Sequence, residues 1–290
     1  MTHVVYLPFV LAAVLALVAR PVAAVSAPAT AARALTVIAV IAALASTWSM
    51  LLLALTLLDD VPPLAVEDGT GHLPQPVPDL VALAAATLLV AGVVRLARDW
   101  YRRYDTHRRL RTAGRPQDGV VVADWSEPMA AAIAGRPGHL LITTGLLRRL
   151  DPREVRVVHA HERSHLAHRH HRLVALAAGA AALNPLIAPV RDAVAYLAER
   201  WADEDAATVV GDRDLVARTV ARAALATVSQ APATLGMNSA SAVLRVRALG
   251  GPAPTGRRRL VGPAAVCLAS AVATAAATVR FDALVHAWLG

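Results

Sequence analysis

The chain has 290 residues and no lysine; all 29 of its basic residues are arginine. It has one cysteine, Cys267, so no internal disulfide can form and thiolate metal sites are excluded. Aromatic residues make up only 4%, too few for the aromatic girdles of a transmembrane β-barrel. Charged residues are also scarce at 17%, against about 25% in a typical soluble domain. In their place stand apolar residues, 56% of the chain, with a mean hydropathy of +0.49. These shortages exclude a disordered chain, a disulfide scaffold and an ordinary soluble enzyme, and they point to helices in a membrane.

Four runs contain no charge: Val4–Ala19, Leu35–Leu58, Leu80–Val94 and Gly262–Val279. A spanning helix needs about 20 apolar residues. The second and fourth runs meet this. The first and third reach it with flanking residues and snorkelling by Arg20, Arg95 and Arg98. The leader Met1-Thr2-His3 has no positive charge and Arg20 lies on the wrong flank for a signal peptide, so the first run reads as a retained span.

The loops set an orientation. Ala19–Ala34 carries Arg20 and Arg33 and no acid, whereas Asp59–Asp79 carries Asp59, Asp60, Glu67, Asp68 and Asp79 and no base. Arginines crowd Arg95–Arg115 and recur at Arg257, Arg258 and Arg259. The positive-inside rule then puts the N-terminus outside, the first loop inside, the second outside, and residues 95–261 inside. The net charge of +8 is thereby explained by topology and by contact with anionic membrane lipid, without nucleic acid.

His161-Glu162-Arg163-Ser164-His165 is an H-E-x-x-H sequence. On a helix, residues four apart share a face, so two imidazoles can reach one metal ion, with Glu162 beside them as general base. Asp151-Pro152-Arg153-Glu154 predicts the helix start: an N-cap Asp, Pro at the first position and Glu at the third. Against this stands the local composition, because six of the eleven histidines fall between His159 and His171, as in a solvated or loosely metal-binding tract.

The third ligand is open on the residues alone. His171 sits at metzincin spacing, but that pattern needs Gly where His168 stands. Glu199 would complete a His, His, Glu site, with Asp203 one turn later to hold a ligand imidazole. Equally, Glu199 could pair with Arg191 or Arg200 on a surface helix.

Residues from about 122 to 203 resemble the membrane gluzincins, both the BlaR/MecR peptidases and the HtpX-type family. The resemblance rests on Thr143-Thr144-Gly145-Leu146-Leu147, the acidic helix start, H-E-x-x-H, Asn184-Pro185-Leu186 and Glu199-Arg200-Trp201-Ala202-Asp203. It implies Zn2+ held by His161, His165 and Glu199, Glu162 as catalytic base, Asp203 behind the ligands, and a protein or peptide substrate: a transcription repressor by the BlaR/MecR likeness or misfolded membrane proteins by the HtpX-type likeness. The alternative to both is a non-catalytic membrane signalling or scaffold protein. About ten residues follow Val279, so an extracellular penicillin-binding sensor of the BlaR/MecR kind is not expected.

Gly119–Ala123 and His139–Thr144 read as two short strands. By resemblance, Leu140, Leu141, Ile142, Thr143 and Thr144 would form an edge strand that pairs with substrate. Leu173–Val190 is apolar throughout, yet a crossing there would part the histidines from Glu199; Asn184, Pro185 and Pro189 instead suggest a buried or re-entrant hairpin. Leu244–Leu249 resembles a late Arg-containing segment of the BlaR/MecR family and reads as a basic juxtamembrane helix, and Tyr196 and His170 are candidate oxyanion donors. The expectation is a mainly α integral membrane protein with four transmembrane helices and a cytoplasmic α+β zincin-like domain with a small β-sheet. Its parts would be 1–98 in the membrane, 99–261 as the peptidase, and 262–290 as a last span and tail. A homo-oligomer is compatible with all of this.

Overall fold

A computed structural model describes residues 4–58, 77–228, 235–252, 268–269, 272 and 274–283. Three helices are long and apolar enough to cross a membrane: α1 (Leu7–Val25), α2 (Pro28–Leu55) and α3 (Asp79–Arg111). Prolines at Pro8 and Pro28 open α1 and α2, where a missing N–H costs nothing. In α3 the first turn carries Asp79 and the last carries Arg108, Arg109 and Arg111, each sign favourable to the helix dipole. Half of the fourth expected span, Gly262–Val279, lies outside the described residues. Its part from 274 onward is helical, with Ala277 packed beside Met50 and Ala85. The acidic loop after α2 also falls outside them, at 59–76.

A three-stranded sheet follows α3: β1 (Val120–Ala123), β2 (Ala130–Ile133) and β3 (His139–Thr143), in the order β1-β3-β2. β1 runs parallel to β3, and β2 antiparallel. This corrects the expected edge. Leu140, Leu141, Ile142 and Thr143 form the central strand, hydrogen-bonded on both sides and fully buried, and Thr144 already begins the short helix α4 (Thr144–Leu147). β1 and β2 are both outer strands, and β2 is the antiparallel one. Thr143 N–H donates to Met129 O, so 129, 131 and 133 face β3, and the N–H and C=O groups of Ala130 and Ala132 point outward.

Helix α5 (Pro152–Ala167) starts as its sequence dictates. Asp151 accepts from the N–H groups of Arg153 and Glu154 at 2.8 and 3.0 Å, while Glu154 accepts from Asp151 N–H at 3.0 Å. After a left-handed Arg169 (φ 54°) the chain re-enters a helix, α6 (His170–Leu183). It turns at Asn184 and returns as α7 (Ala188–Val210), with α8 (Arg213–Val228) and α9 (Leu235–Leu249) beyond.

The apolar stretch 173–190 is thus a hairpin whose two ends lie on one side. Ala177, Ala180, Ile187, Val190, Val194 and Leu197 are buried against Leu15 and Leu35 of α1 and α2. At the tip, Asn184 donates to Ser46 Oγ at 2.9 Å, and Arg95 Nε donates to Ala182 O at 2.9 Å, satisfying polar groups that an apolar core would otherwise strand. The opposite end of the bundle meets the region of α5 and α7. Arg200 donates to Ala23 O in the last turn of α1, and the Arg33 guanidinium lies 4.6 Å above the Trp201 ring. The start of α1, by contrast, packs at the far end with Met50, Val77 and Ala82.

A second core joins α5, α7, α8 and α9 through Val157, Ala160, Ala206, Val216 and Leu249. Helix α7 therefore belongs to both cores.

Candidate metal centre

Helix α5 turns His161 and His165 to one side, and α7 crosses it with Glu199. The Nε2 atoms of His161 and His165 lie 3.1 Å apart, and each lies 3.5 Å from a Glu199 carboxylate oxygen. One ligand atom from each residue falls within 4.8 Å of the others, and among the described residues no other His, Cys, Asp or Glu group does so. Tetrahedral zinc with bonds of about 2.0–2.1 Å would hold its ligand atoms about 3.3 Å apart. The observed spacings fit that, and the donor set of two imidazoles and one carboxylate is zinc-like chemistry. His171 is not part of the cluster: the chain turns at Arg169, and His171 lies among Arg169, Arg172 and His107.

Behind the ligands, Asp203 Oδ1 is 3.0 Å from His161 Nδ1. Asp203 is nearly fully buried, and Arg245 of α9 grips it with Nε and Nη2 at 2.7 Å each. Arg245 Nη1 also reaches Glu199 at 3.0 Å. The segment read from sequence as a juxtamembrane basic helix is thus part of the site. Nothing local marks Arg245, because its partners lie 42 and 46 residues away and only tertiary packing unites them. Arg213, paired with Glu204 and donating to the Leu249 carbonyl at 3.2 Å, ties α7, α8 and α9 into the frame that carries it.

His170 was also misread. It does not face the open side as an oxyanion donor would. It is 1% exposed, with its Nδ1 2.9 Å from His165 Nδ1. Tyr196 packs against the α1–α2 core with the Arg200 guanidinium over its ring at 5.8 Å.

Charge sorts these groups. Burial opposes a charge on His161, but hydrogen bonds to Asp203 and Glu199, and their negative charge, outweigh it and carry its pKa up to about 10. Burial lowers His165 to about 4, helped by His161 and Arg245. Burial would raise Asp203, yet Arg245 and His161 hold it below the usual carboxylate range. Glu199 is held low too, its burial outweighed by His161, Arg245 and His165. Glu162 goes the other way: burial, joined by the Glu199 charge, pushes it up against the opposing pull of His161 and Arg245. Its carboxylate is in hydrogen-bonding reach of the outward Ala132 N–H, so Glu162 sits at the outer edge of β2.

No solved structure matches the chain. Protease HtpX homolog 1 of Streptomyces coelicolor (strain ATCC BAA-471 / A3(2) / M145) is 44% identical over 59 residues, 20% of this chain and 19% of that protein. The chain therefore spans about a fifth of the length of this curated relative. The family model of Peptidase family M48 matches residues 97–241, from the end of α3 into α9, taking in both histidines, Glu162, Glu199 and Asp203 and stopping just short of Arg245. That is half of the chain, and with an apolar helical bundle bound to the matched region the protein is a membrane member of Peptidase family M48.

Proposed function

We propose that the chain is a zinc-dependent endopeptidase that cuts protein segments beside the membrane, on its cytoplasmic side. The convergence of His161, His165 and Glu199 next to Glu162 carries this reading. Bound zinc would polarise the scissile carbonyl and acidify the attacking water. Glu162 takes the proton from that water and passes it to the leaving amine. Asp203 keeps His161 in the tautomer that presents Nε2, and Arg245 holds Asp203 and Glu199 in register. The substrate backbone lies extended along β2, pairing by strand addition with the outward groups of Ala130 and the Ala132 carbonyl, beside the Ala132 N–H that faces Glu162.

The cytoplasmic placement rests on charge. The α1–α2 turn with Arg20 and Arg33, and the arginine-rich end of α3, lie on the side of the catalytic region. Those arginines suit the anionic inner leaflet. Of the two substrate classes the sequence resemblances suggest, the HtpX-named relative favours misfolded membrane proteins over a single transcription repressor of the BlaR/MecR kind.

Purified full-length protein should carry stoichiometric zinc, and Glu162→Ala should keep it while slowing cleavage of unfolded casein by about 10²–10⁴-fold. His161→Ala should lose metal and cleavage together. Unchanged cleavage in Glu162→Ala overturns the proposal. Cleavage confined to one cytoplasmic repressor would favour the signalling substrate instead.

A further inference from the structure

The two ligand histidines are steadied by different partners. His161 has the Asp203 carboxylate at Nδ1. His165 has no carboxylate there; its Nδ1 faces the Nδ1 of His170 at 2.9 Å, with the two rings edge to face at 88°. On a continuous helix, residues five apart sit about 140° apart around the axis and cannot meet this way. They meet here because Arg169 adopts φ 54°, a conformation that costs a non-glycine residue about 1–2 kcal/mol. The turn breaks α5 from α6 and swings His170 back under His165.

The pocket that receives it is built. The Trp201 ring lies 4.7 Å from the His170 ring, and His168 stacks on Trp201 at 4.3 Å. His168 is in turn held by Asp205 at 2.9 Å, and the same carboxylate accepts from Ser164 at 2.6 Å. Arg33 of α2 covers the other side of Trp201.

Proton placement gives the arrangement its meaning. His165 turns Nε2 toward His161 and Glu199, so as a neutral ligand it carries its proton on Nδ1. Two facing Nδ1 atoms form a hydrogen bond only if one is bare. We infer that His170 is a positioning residue: its Nδ1 accepts from His165 Nδ1–H, fixing the tautomer and ring angle that aim His165 Nε2 at the metal. A neutral acceptor is apt here. Glu162, Glu199 and Asp203 already place three carboxylates around a single guanidinium, and a fourth would add charge, whereas an imidazole accepts the same bond without it.

The inference rests on the zinc-site reading, and the experiment separates the two. Zinc affinity of the full-length protein in detergent is measured by chelator competition for wild type, His170→Leu and His170→Asn. Asn places its carbonyl oxygen where the imidazole Nδ1 lies; Leu fills the space without an acceptor. His170→Leu should bind zinc about 10–100-fold more weakly, with metal-depleted unfolding near wild type, and His170→Asn should recover to within a few-fold. Should Leu fail to fold, Asn is compared with Gln, whose oxygen is one methylene displaced and should restore less. Wild-type affinity in the Leu variant, or equal loss in folded Asn and Leu (or in Asn and Gln), overturns the role of His170 and leaves the zinc site standing. Failure of wild type itself to bind zinc overturns both.

Discussion

The bundle and the catalytic region are packed by opposite means. Between α1, α2, α6 and the first half of α7 the contacts are alanines and aliphatic side chains, and the described polar links there are few, such as the Asn184–Ser46 hydrogen bond and the Arg200–Ala23 contact. Between α5, the second half of α7 and α9, the centre holds His161, Glu199, Asp203 and Arg245 in mutual hydrogen bonds. The first region gains stability from close fit. The second stores several buried charges that are harmless only while all are paired.

The largest break in that contrast should come from Arg245→Ala, which strands Asp203 and Glu199 and should cost about 3–5 kcal/mol, read as a lowered denaturation midpoint. The same pair sets a pH signature. Asp203 is held below its unfolded value, so the folded state binds fewer protons there. The stability it contributes is complete above about pH 4, the ordinary carboxylate range, and is lost as pH falls through its folded pKa. Acid titration followed by proteolysis of metal-depleted protein should loosen α7–α9 before α1–α2, whose described helices hold no acid. Ser46→Ala tests the other half. It removes the partner of the buried Asn184 amide and should cost about 1–3 kcal/mol with zinc content unchanged. The smallest effect should be a gain: Arg169→Gly relieves a left-handed residue and should stabilise by about 1 kcal/mol while zinc affinity holds.

How much of this was legible follows the range of each signal. The start of α5 was, because Asp151, Pro152 and Glu154 act within one turn. So were the histidine pair and the hairpin turn at Asn184, which need only helical spacing and two prolines. Strand β2 was not, because Ala130, Ala131 and Ala132 have low strand propensity and pair only because β3 offers an edge. That omission alone put the free edge one strand too far in. Arg245 and His170 were misassigned for a related reason: one joins the site across tens of residues, the other through a backbone twist at Arg169 that no propensity announces.

Helix α7 has a practical consequence. Val190, Val194 and Leu197 are sealed by α1 and α2, Glu199 follows two residues later, and Ala206 and Ala207 belong to the catalytic core. Cutting away the N-terminal bundle to obtain a soluble fragment would lay those three side chains open to water on the same rod that presents Glu199. Any attempt to study the metal site without the apolar bundle therefore exposes the very helix that completes it.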